Sequence, residues 1–162
     1  MSVRAQCLVL NDLYLLLVHY VYKKHSYWGL PGSYLKAGET PETAARRALT
    51  DACKLKASKL RLLSQVNYAA DDSHYTFEVR GFMGELKLGQ VPRRFVGTQT
   101  VEAVTWRHVD KLSALEFAFA LSSGLLVSRA VRRHLRCKQA TSQAISQDTN
   151  SYKLAQSSEY EG

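Results

Sequence analysis

The stretch Trp28–Leu55, WGLPGSYLKAGETPETAARRALTDACKL, decides how the rest of the chain is interpreted. Its first half is rich in glycine and proline, which are typical of turns. Thr40 followed by Pro41 predicts a helix start, because the hydroxyl caps free N–H groups and proline suits the first helical position. Alanine and leucine then recur at helical spacing to about Cys53. The stretch predicts a loop followed by a helix, an arrangement suited to binding phosphate.

The same residues resemble the Nudix box, whose pattern is G, five residues, E, seven residues, R-E-U-x-E-E-x-G-U with U aliphatic, commonly preceded by W-x-L-P-G. The matching residues are Trp28, Leu30, Pro31, Gly32, Gly38, Glu39, Arg47, Leu49 and Leu55. The resemblance extends over about residues 3–136. It implies an α/β fold, a Nudix-type α/β/α sandwich with a mixed central β-sheet.

The departures from the box concern its chemistry. Ser33 replaces the first box glycine, and Lys54 replaces the last one. Ala48 stands for the glutamate after the arginine, and Asp51 and Ala52 stand for the paired glutamates. In the family, the glutamates at the two alanine positions hold the magnesium that bridges the substrate's diphosphate. Magnesium requires oxygen ligands, and a methyl group offers none.

The resemblance implies attack by water on a diphosphate linked to a nucleoside or similar group, with magnesium or manganese as cofactor. No catalytic residue is assigned, because Ala48 and Ala52 occupy the lost ligand positions. Glu39 and Asp51 are the remaining box acids and the candidate metal ligands. We expect them to form a loop-to-helix ion-pair network with Arg47.

The candidate substrate-binding residues are basic or hydroxyl side chains of the box and of a later loop. They are Ser33, Lys36, Arg47, Arg93 and Arg94. The last two lie in a predicted long loop over residues 84–100, whose equivalent in the family often supplies a catalytic acid or a base-stacking residue. Here no acid lies between Glu85 and Glu102. The two loop arginines therefore either contact phosphate or serve only to keep a surface loop soluble.

Patterns elsewhere agree with this fold. Apolar runs over residues 3–10 and 13–21 predict a hairpin turning at Asn11 and Asp12. Further strands are predicted over residues 60–67, 74–83 and 101–109, the first two of these antiparallel. Ser113 and Glu116 form a capping box that begins a long helix to about Leu135, covering the sheet. Gly124 disfavours one unbroken helix there by about 1 kcal/mol relative to alanine.

Composition limits the remaining choices. We predict one Nudix-like domain over residues 1–138 and a disordered polar tail over residues 139–162. The formal net charge of +8 at pH 7 favours anionic partners. Cys7, Cys53 and Cys137 show neither a disulfide nor a zinc spacing, so a reducing, cytoplasmic location is expected. No signal peptide or membrane-spanning run is indicated, and the oligomeric state is not predicted.

The leading prediction is a Nudix-family protein that binds a nucleotide or another diphosphate-containing small molecule. Its magnesium-dependent pyrophosphohydrolase activity is expected to be weak, altered or lost. One alternative is a working hydrolase that rebuilds its metal site with an outside acid, the candidates being Asp71, Asp72, Glu78 and Glu102. The other alternative is a non-catalytic nucleotide- or RNA-binding protein of the same fold.

Overall fold

Strands dominate the first part of the chain in the computed structural model, which describes residues 2–90 and 99–158, with side chains through residue 146. The strands are β1 (Ser2–Leu8), β2 (Leu10–Asn11), β3 (Tyr14–Tyr22), β4 (His25–Gly29), β5 (Gly32–Tyr34), β6 (Lys56–Ala57), β7 (Leu60–Ala69), β8 (Asp72–Val79), β9 (Phe82–Met83) and β10 (Thr100–His108). The α-helices are α1 (Pro41–Cys53), α2 (Ala114–Ser122) and α3 (Arg129–Ser158). The described chain divides after Leu125 into two compact units. The domain boundary predicted after residue 138 stays a prediction.

The strands form two larger sheets. One has the order β5-β1-β8-β7, and the other has the order β10-β3-β2 with β4 also paired to β3. Strands β1 and β8 are parallel, whereas β1 with β5 and β7 with β8 are antiparallel. Strands β6 and β9 form a separate short ladder. The α/β class and the mixed sheet predicted from the sequence are confirmed.

The predicted first hairpin forms only at its tip. Strand β2 pairs with β3, whereas β1 belongs to the other sheet. The chain changes sheets at Val9, which is fully buried and whose carbonyl accepts a hydrogen bond from the Leu16 N–H at 3.0 Å. A strand with apolar residues on both faces is typically covered on both sides. Such a pattern does not specify which strand pairs with it, so the sequence could not predict that β1 joins the other sheet.

The core packs α1 against β1. Ala5 and Cys7 of β1 and Ala44 and Ala45 of α1 are fully buried in one cluster. The Cys7 thiol donates a hydrogen bond to the Ala45 carbonyl at 3.3 Å, and burial raises its pKa to about 12. Small side chains on both elements allow this close approach. Helix α1 therefore lies on one face of β1. Because side chains alternate along a strand, Arg4 and Gln6 point to the other face.

The long helix predicted from Ser113 is interrupted. Ser113 and Glu116 do form the predicted capping box, but α2 ends at Ser122. Gly124 has φ of +103°, a conformation that glycine adopts and a helix does not contain. A Cβ at this position would lie 2.9 Å from Leu63 Cδ1, so both backbone and packing require glycine.

The second unit carries α3. Its backbone is helical from Arg129 through Ser158. The disorder predicted for residues 139–162 stays a prediction. The helical segment contains no glycine or proline, and its alanine, glutamine and lysine residues favour helix. None of the helices in the described part of the chain is both long and apolar enough to cross a membrane.

Candidate functional site

The loop-to-helix junction forms as the sequence predicts. Thr40 is the N-cap of α1 and accepts a hydrogen bond from the Thr43 N–H at 3.2 Å, and Pro41 opens the helix. At the other end, Lys54 caps the helix in the left-handed conformation, with φ of +58°. The N–H of Lys54 donates to the Thr50 carbonyl at 3.0 Å. Helix α1 is therefore capped at both ends.

Glu39 and Arg47 form a two-pronged ion pair. Arg47 Nε donates to Glu39 Oε1 at 2.8 Å, and Arg47 Nη2 donates to Glu39 Oε2 at 2.9 Å. The Lys36 N–H also donates to Glu39 Oε2 at 2.8 Å. The hydrogen bonds from Arg47 are the largest cause that lowers the pKa of Glu39 to about 2. Both carboxylate oxygens of Glu39 are thus engaged inside the protein.

Arg47 also contacts strand β5 and a second acid, on its own helix. Its Nη2 donates to the Tyr34 carbonyl at 2.9 Å, and its Nη1 lies 3.9 Å from Asp51 Oδ2. The predicted network of Glu39, Arg47 and Asp51 is therefore confirmed. Arg47 donates its hydrogen bonds to Glu39 of the loop and to Tyr34 of β5. A contact of Arg47 with substrate stays a prediction.

Ala48 and Ala52 lie on the buried side of α1, each with 4% of its surface exposed. The chain after Gly84 passes across the end of this helix. The Gly89 N–H donates to the Ala52 carbonyl at 2.9 Å, and the Lys87 N–H donates to the Cys53 carbonyl at 3.2 Å. A Cβ at Gly89 would lie 1.7 Å from the Asp51 carbonyl oxygen. The last turn of α1 is closely covered by backbone.

A cavity of about 180 Å³ is lined mainly by strands of both larger sheets. Residues that line it include Arg4, Gln6, Tyr20, Tyr27, Tyr34 and Phe119. Arg4 and Gln6 project from the face of β1 opposite the core residues Ala5 and Cys7. In the ladder, Arg4 lies beside Tyr34 of β5 and His74 of β8. No acidic side chain is among the described residues that line the cavity.

Comparison with known families decides the classification. The family model described as NUDIX domain matches residues 2–126. The chain belongs to the Nudix family. A search of curated proteins finds no match.

Solved structures share the Nudix fold with this chain. A MutT NUDIX hydrolase from Burkholderia pseudomallei is 22% identical with a TM-score of 0.60, covering 76% of this chain and 97% of its own. A structure from a study of MutT from Aliivibrio salmonicida and Vibrio cholerae is 17% identical with a TM-score of 0.58, covering 82% and 98%. An ADP compounds hydrolase is 17% identical with a TM-score of 0.52, covering 85% and 74%. At these identities the likeness concerns the fold.

The Nudix family implies a divalent metal, and the described residues do not fit it. Ala48 and Ala52 supply no oxygen, and both oxygens of Glu39 already accept hydrogen bonds. Within residues 2–90 and 99–146, no group of three or more His, Cys, Asp or Glu side chains is placed to hold a metal ion. Asp51 alone cannot provide the near-octahedral oxygen shell that magnesium requires.

Three of the four acids named in the alternative prediction have other partners for their carboxylates. Asp72 accepts a hydrogen bond from the Ser2 hydroxyl at 2.9 Å. Glu78 pairs with Arg61 at 2.8 Å and with Arg80 at 3.2 Å, and Glu102 accepts from the Thr100 hydroxyl at 2.9 Å. Asp71 receives the Ser2 N–H through its carbonyl oxygen. In the part of the chain that the structure describes, these acids do not gather around Asp51.

The other predicted substrate-binding residues are Ser33, Lys36, Arg93 and Arg94. The Ser33 hydroxyl donates to the Ala44 carbonyl at 3.5 Å, and Lys36 is an exposed loop residue. Arg93 and Arg94 lie outside the described residues. Substrate binding by these four residues stays a prediction.

Sequence reasoning missed the cavity residues, above all Arg4. One signal was available, because Arg4 and Gln6 are polar residues that alternate with apolar ones in an otherwise apolar strand. A charged residue at such a position indicates either an edge strand or a strand that faces a polar cavity. The ladder puts β1 between β5 and β8, which excludes the edge.

Proposed function

We propose that this Nudix protein binds a nucleotide or another diphosphate-containing small molecule, and that its magnesium-dependent hydrolysis is weak, altered or lost. The observation that carries the proposal is the chemistry of the α1 face. Ala48 and Ala52 present methyl groups where the box has glutamates, and backbone covers the end of that helix. Without glutamate oxygens at residues 48 and 52, a magnesium ion that would neutralise the developing phosphoryl charge is left with Asp51 alone on this helix, which is too few ligands.

The cavity supports the binding half of the proposal. Tyr27 and Tyr34 expose their rings beside it, and a nucleobase stacks favourably on such surfaces. Arg4 gives the cavity a positive charge, which attracts phosphate. The ADP compounds hydrolase with the same fold acts, by its description, on a ligand of this chemical class.

The test is a panel of nucleoside diphosphate compounds and nucleoside triphosphates with magnesium or manganese. Released phosphate-containing products are measured, and binding of each compound is measured separately in EDTA. We expect binding in EDTA and turnover at least ~100-fold below the ~1 s⁻¹ at the lower end of typical enzymes. Turnover within the ordinary range with either metal would contradict the proposal and favour the working hydrolase.

One observation favours the second candidate function, RNA binding. Arg129, Arg132, Arg133 and Arg136 recur at helical spacing on α3, and all four are exposed. They lie on one face of the helix, where they can contact successive phosphates. RNA binding through this face predicts affinity that falls steeply with salt. Affinity for a short single-stranded RNA that is unchanged by replacing Arg133 and Arg136 with glutamine would exclude this candidate.

The proposed setting is the cytoplasm. Cys7 and Cys53 are buried free thiols and Cys137 is an exposed free thiol, as expected under reducing conditions. The location is tested by microscopy of the tagged full chain.

A further inference from the structure

Arg4 is a buried cation that has no acidic partner among the described residues. It has 8% of its surface exposed. Among the described side chains, residues 2–90 and 99–146, no carboxylate forms an ion pair with it. The less buried arginines Arg46 and Arg61, in contrast, pair with Glu42 and Glu78 at 2.9 and 2.8 Å. Burial of an unpaired charge is costly, so a functional reason for Arg4 is expected.

Two tyrosine rings hold the Arg4 guanidinium in place. Its central carbon lies 5.5 Å from the Tyr20 ring centre and 5.6 Å from the Tyr34 ring centre. Ring contacts of this kind compensate part of the lost hydration and leave N–H donors without an acceptor. The Tyr20 hydroxyl does not serve as that acceptor. It donates to the Leu30 carbonyl and accepts from the Gly32 N–H, both at 2.9 Å.

The space around Arg4 depends on Gly32. A Cβ at this glycine would lie 3.1 Å from Arg4 Nη2 and 2.8 Å from Gln6 Cβ. Gln6 itself is held by a hydrogen bond of its amide nitrogen to the Thr76 hydroxyl at 3.0 Å. Arg4 lines the cavity, and among the described residues no fully buried side-chain nitrogen lacks a hydrogen-bond partner, so the N–H groups of Arg4 that have no acceptor remain accessible there.

We infer that Arg4 is a metal-independent oxyanion site, which binds a phosphate group of a nucleotide ligand whose aromatic part contacts Tyr27 and Phe119. The planar fork of arginine donors matches the oxygens of a phosphate. Tyr27 and Phe119 are more exposed than Arg4. The phosphate of the ligand therefore lies deeper in the cavity, and its aromatic ring lies nearer the solvent. The inference rests on the proposed function, which gives the class of ligand as a nucleotide. It adds that Arg4 is the residue that binds the phosphate of that ligand.

The size of the cavity limits what it accepts. Pockets for complete drug-sized ligands measure roughly 300–1,000 Å³. The cavity of about 180 Å³ therefore holds one phosphate and part of the adjoining group, and the rest of the ligand lies outside. A compact nucleoside monophosphate is the appropriate probe.

The experiment compares AMP with adenosine by calorimetric titration in EDTA. Wild type, Arg4→Met and Arg61→Met are used, the last as a control on an exposed arginine of the same sheet. A charge-assisted hydrogen-bonded contact predicts that wild type and Arg61→Met bind AMP at least ~10-fold more tightly than adenosine. In Arg4→Met, the affinity for AMP falls at least ~10-fold, and the affinity for adenosine changes by less than ~2-fold.

Competition in the wild type gives a second measurement that needs no variant. Inorganic phosphate should weaken AMP binding more than potassium chloride of equal ionic strength, and it should leave adenosine binding unchanged. Equal affinities for AMP and adenosine, no AMP binding, or no specific effect of phosphate would each contradict the inference. The proposed function is judged separately by the hydrolysis panel, which contains metal and does not depend on AMP.

Discussion

Arg47 donates a hydrogen bond to the carbonyl of Tyr34 at 2.9 Å, and the ring of Tyr34 lies 5.6 Å from the Arg4 guanidinium. The box arginine thereby orders both the loop and one wall of the cavity. Glu39 fixes Arg47 from the other side. The ion pair that the box preserves thus supports the shape of the cavity, whether or not the helix carries metal ligands.

Replacing Arg47 tests this frame. Arg47→Ala leaves the nearly buried Glu39 carboxylate and the Tyr34 carbonyl without their donor, and we expect a loss of ~2–3 kcal/mol in the free energy of unfolding. Arg61→Ala is the control, because Arg61 is exposed and its partner Glu78 keeps Arg80, so the pair should contribute about 1 kcal/mol or less. Urea denaturation measures both. Equal, small losses would show that the Arg47 pair has no structural importance.

The Glu39 pair predicts a pH dependence. The pKa of Glu39 is lowered to about 2, so its contribution is fully present above its unfolded value of ~4.3 and is lost as the pH falls through 4 towards 2. The contribution is at most ~3 kcal/mol, because each pKa unit corresponds to ~1.4 kcal/mol. Glu39→Gln should therefore flatten the decline in stability between pH 5 and pH 2. Denaturation of both proteins across this range checks it, and parallel declines would assign the acid sensitivity to other groups.

Lys54 predicts a stabilising substitution. Its φ of +58° is unfavourable for a residue with a Cβ, and Lys54→Gly should raise the free energy of unfolding by ~1 kcal/mol. Lys56→Gly is the control, because a glycine in strand β6 should lower stability by ~0.5–1 kcal/mol. Thermal melting of the two variants should give shifts of opposite sign. A loss of stability in Lys54→Gly would mean that the lysine side chain compensates the strain.

The positions of the missing box glutamates predict a response to metal. Magnesium should not raise the melting temperature of the wild type, since Ala48 and Ala52 offer no oxygen ligands and Asp51 alone cannot hold the ion. Ala48→Glu with Ala52→Glu should be several kcal/mol less stable without metal, because both sites are nearly buried. Magnesium at ~100 times its dissociation constant should then restore ~2.7 kcal/mol.

The control for this response is Ala45→Glu on the same helix. Ala45 is fully buried in the core, so its glutamate should destabilise the protein with or without magnesium. Ala48→Glu alone is a milder variant that keeps the test decisive if the double variant does not fold. Magnesium that failed to distinguish the variants at residues 48 and 52 from Ala45→Glu would mean that these positions do not face a common site.

The structure of the box region could be predicted from residues that are close together in the sequence. The N-cap Thr40, the first helical residue Pro41 and the ion pair between Glu39 and Arg47 depend on groups close in sequence. Their geometry follows from helix periodicity and from capping, which the residues specify themselves. The α/β class followed in the same way, because the box register and the strand patterns agree with each other.

Contacts between distant segments required the tertiary structure. Residues 4, 34 and 74 meet at the cavity because β1 pairs with β5 on one side and β8 on the other, and no local pattern specifies that neighbourhood. The predicted hairpin was only partly right for the same reason. The helix break at Gly124 likewise combines a local preference with the distant packing of Leu63.

The sequence by itself thus determined the loop, the capped helix, its ion pair and the alanines at residues 48 and 52, because these are properties of neighbouring residues. Only the tertiary structure decided that Ala48 and Ala52 are buried, that the chain near Gly89 covers the end of α1, and that Arg4 lies between two tyrosine rings. Burial and unpaired charge are set by which segments exclude water from each other. That is a property of the whole fold and cannot be assigned to any single stretch of the chain.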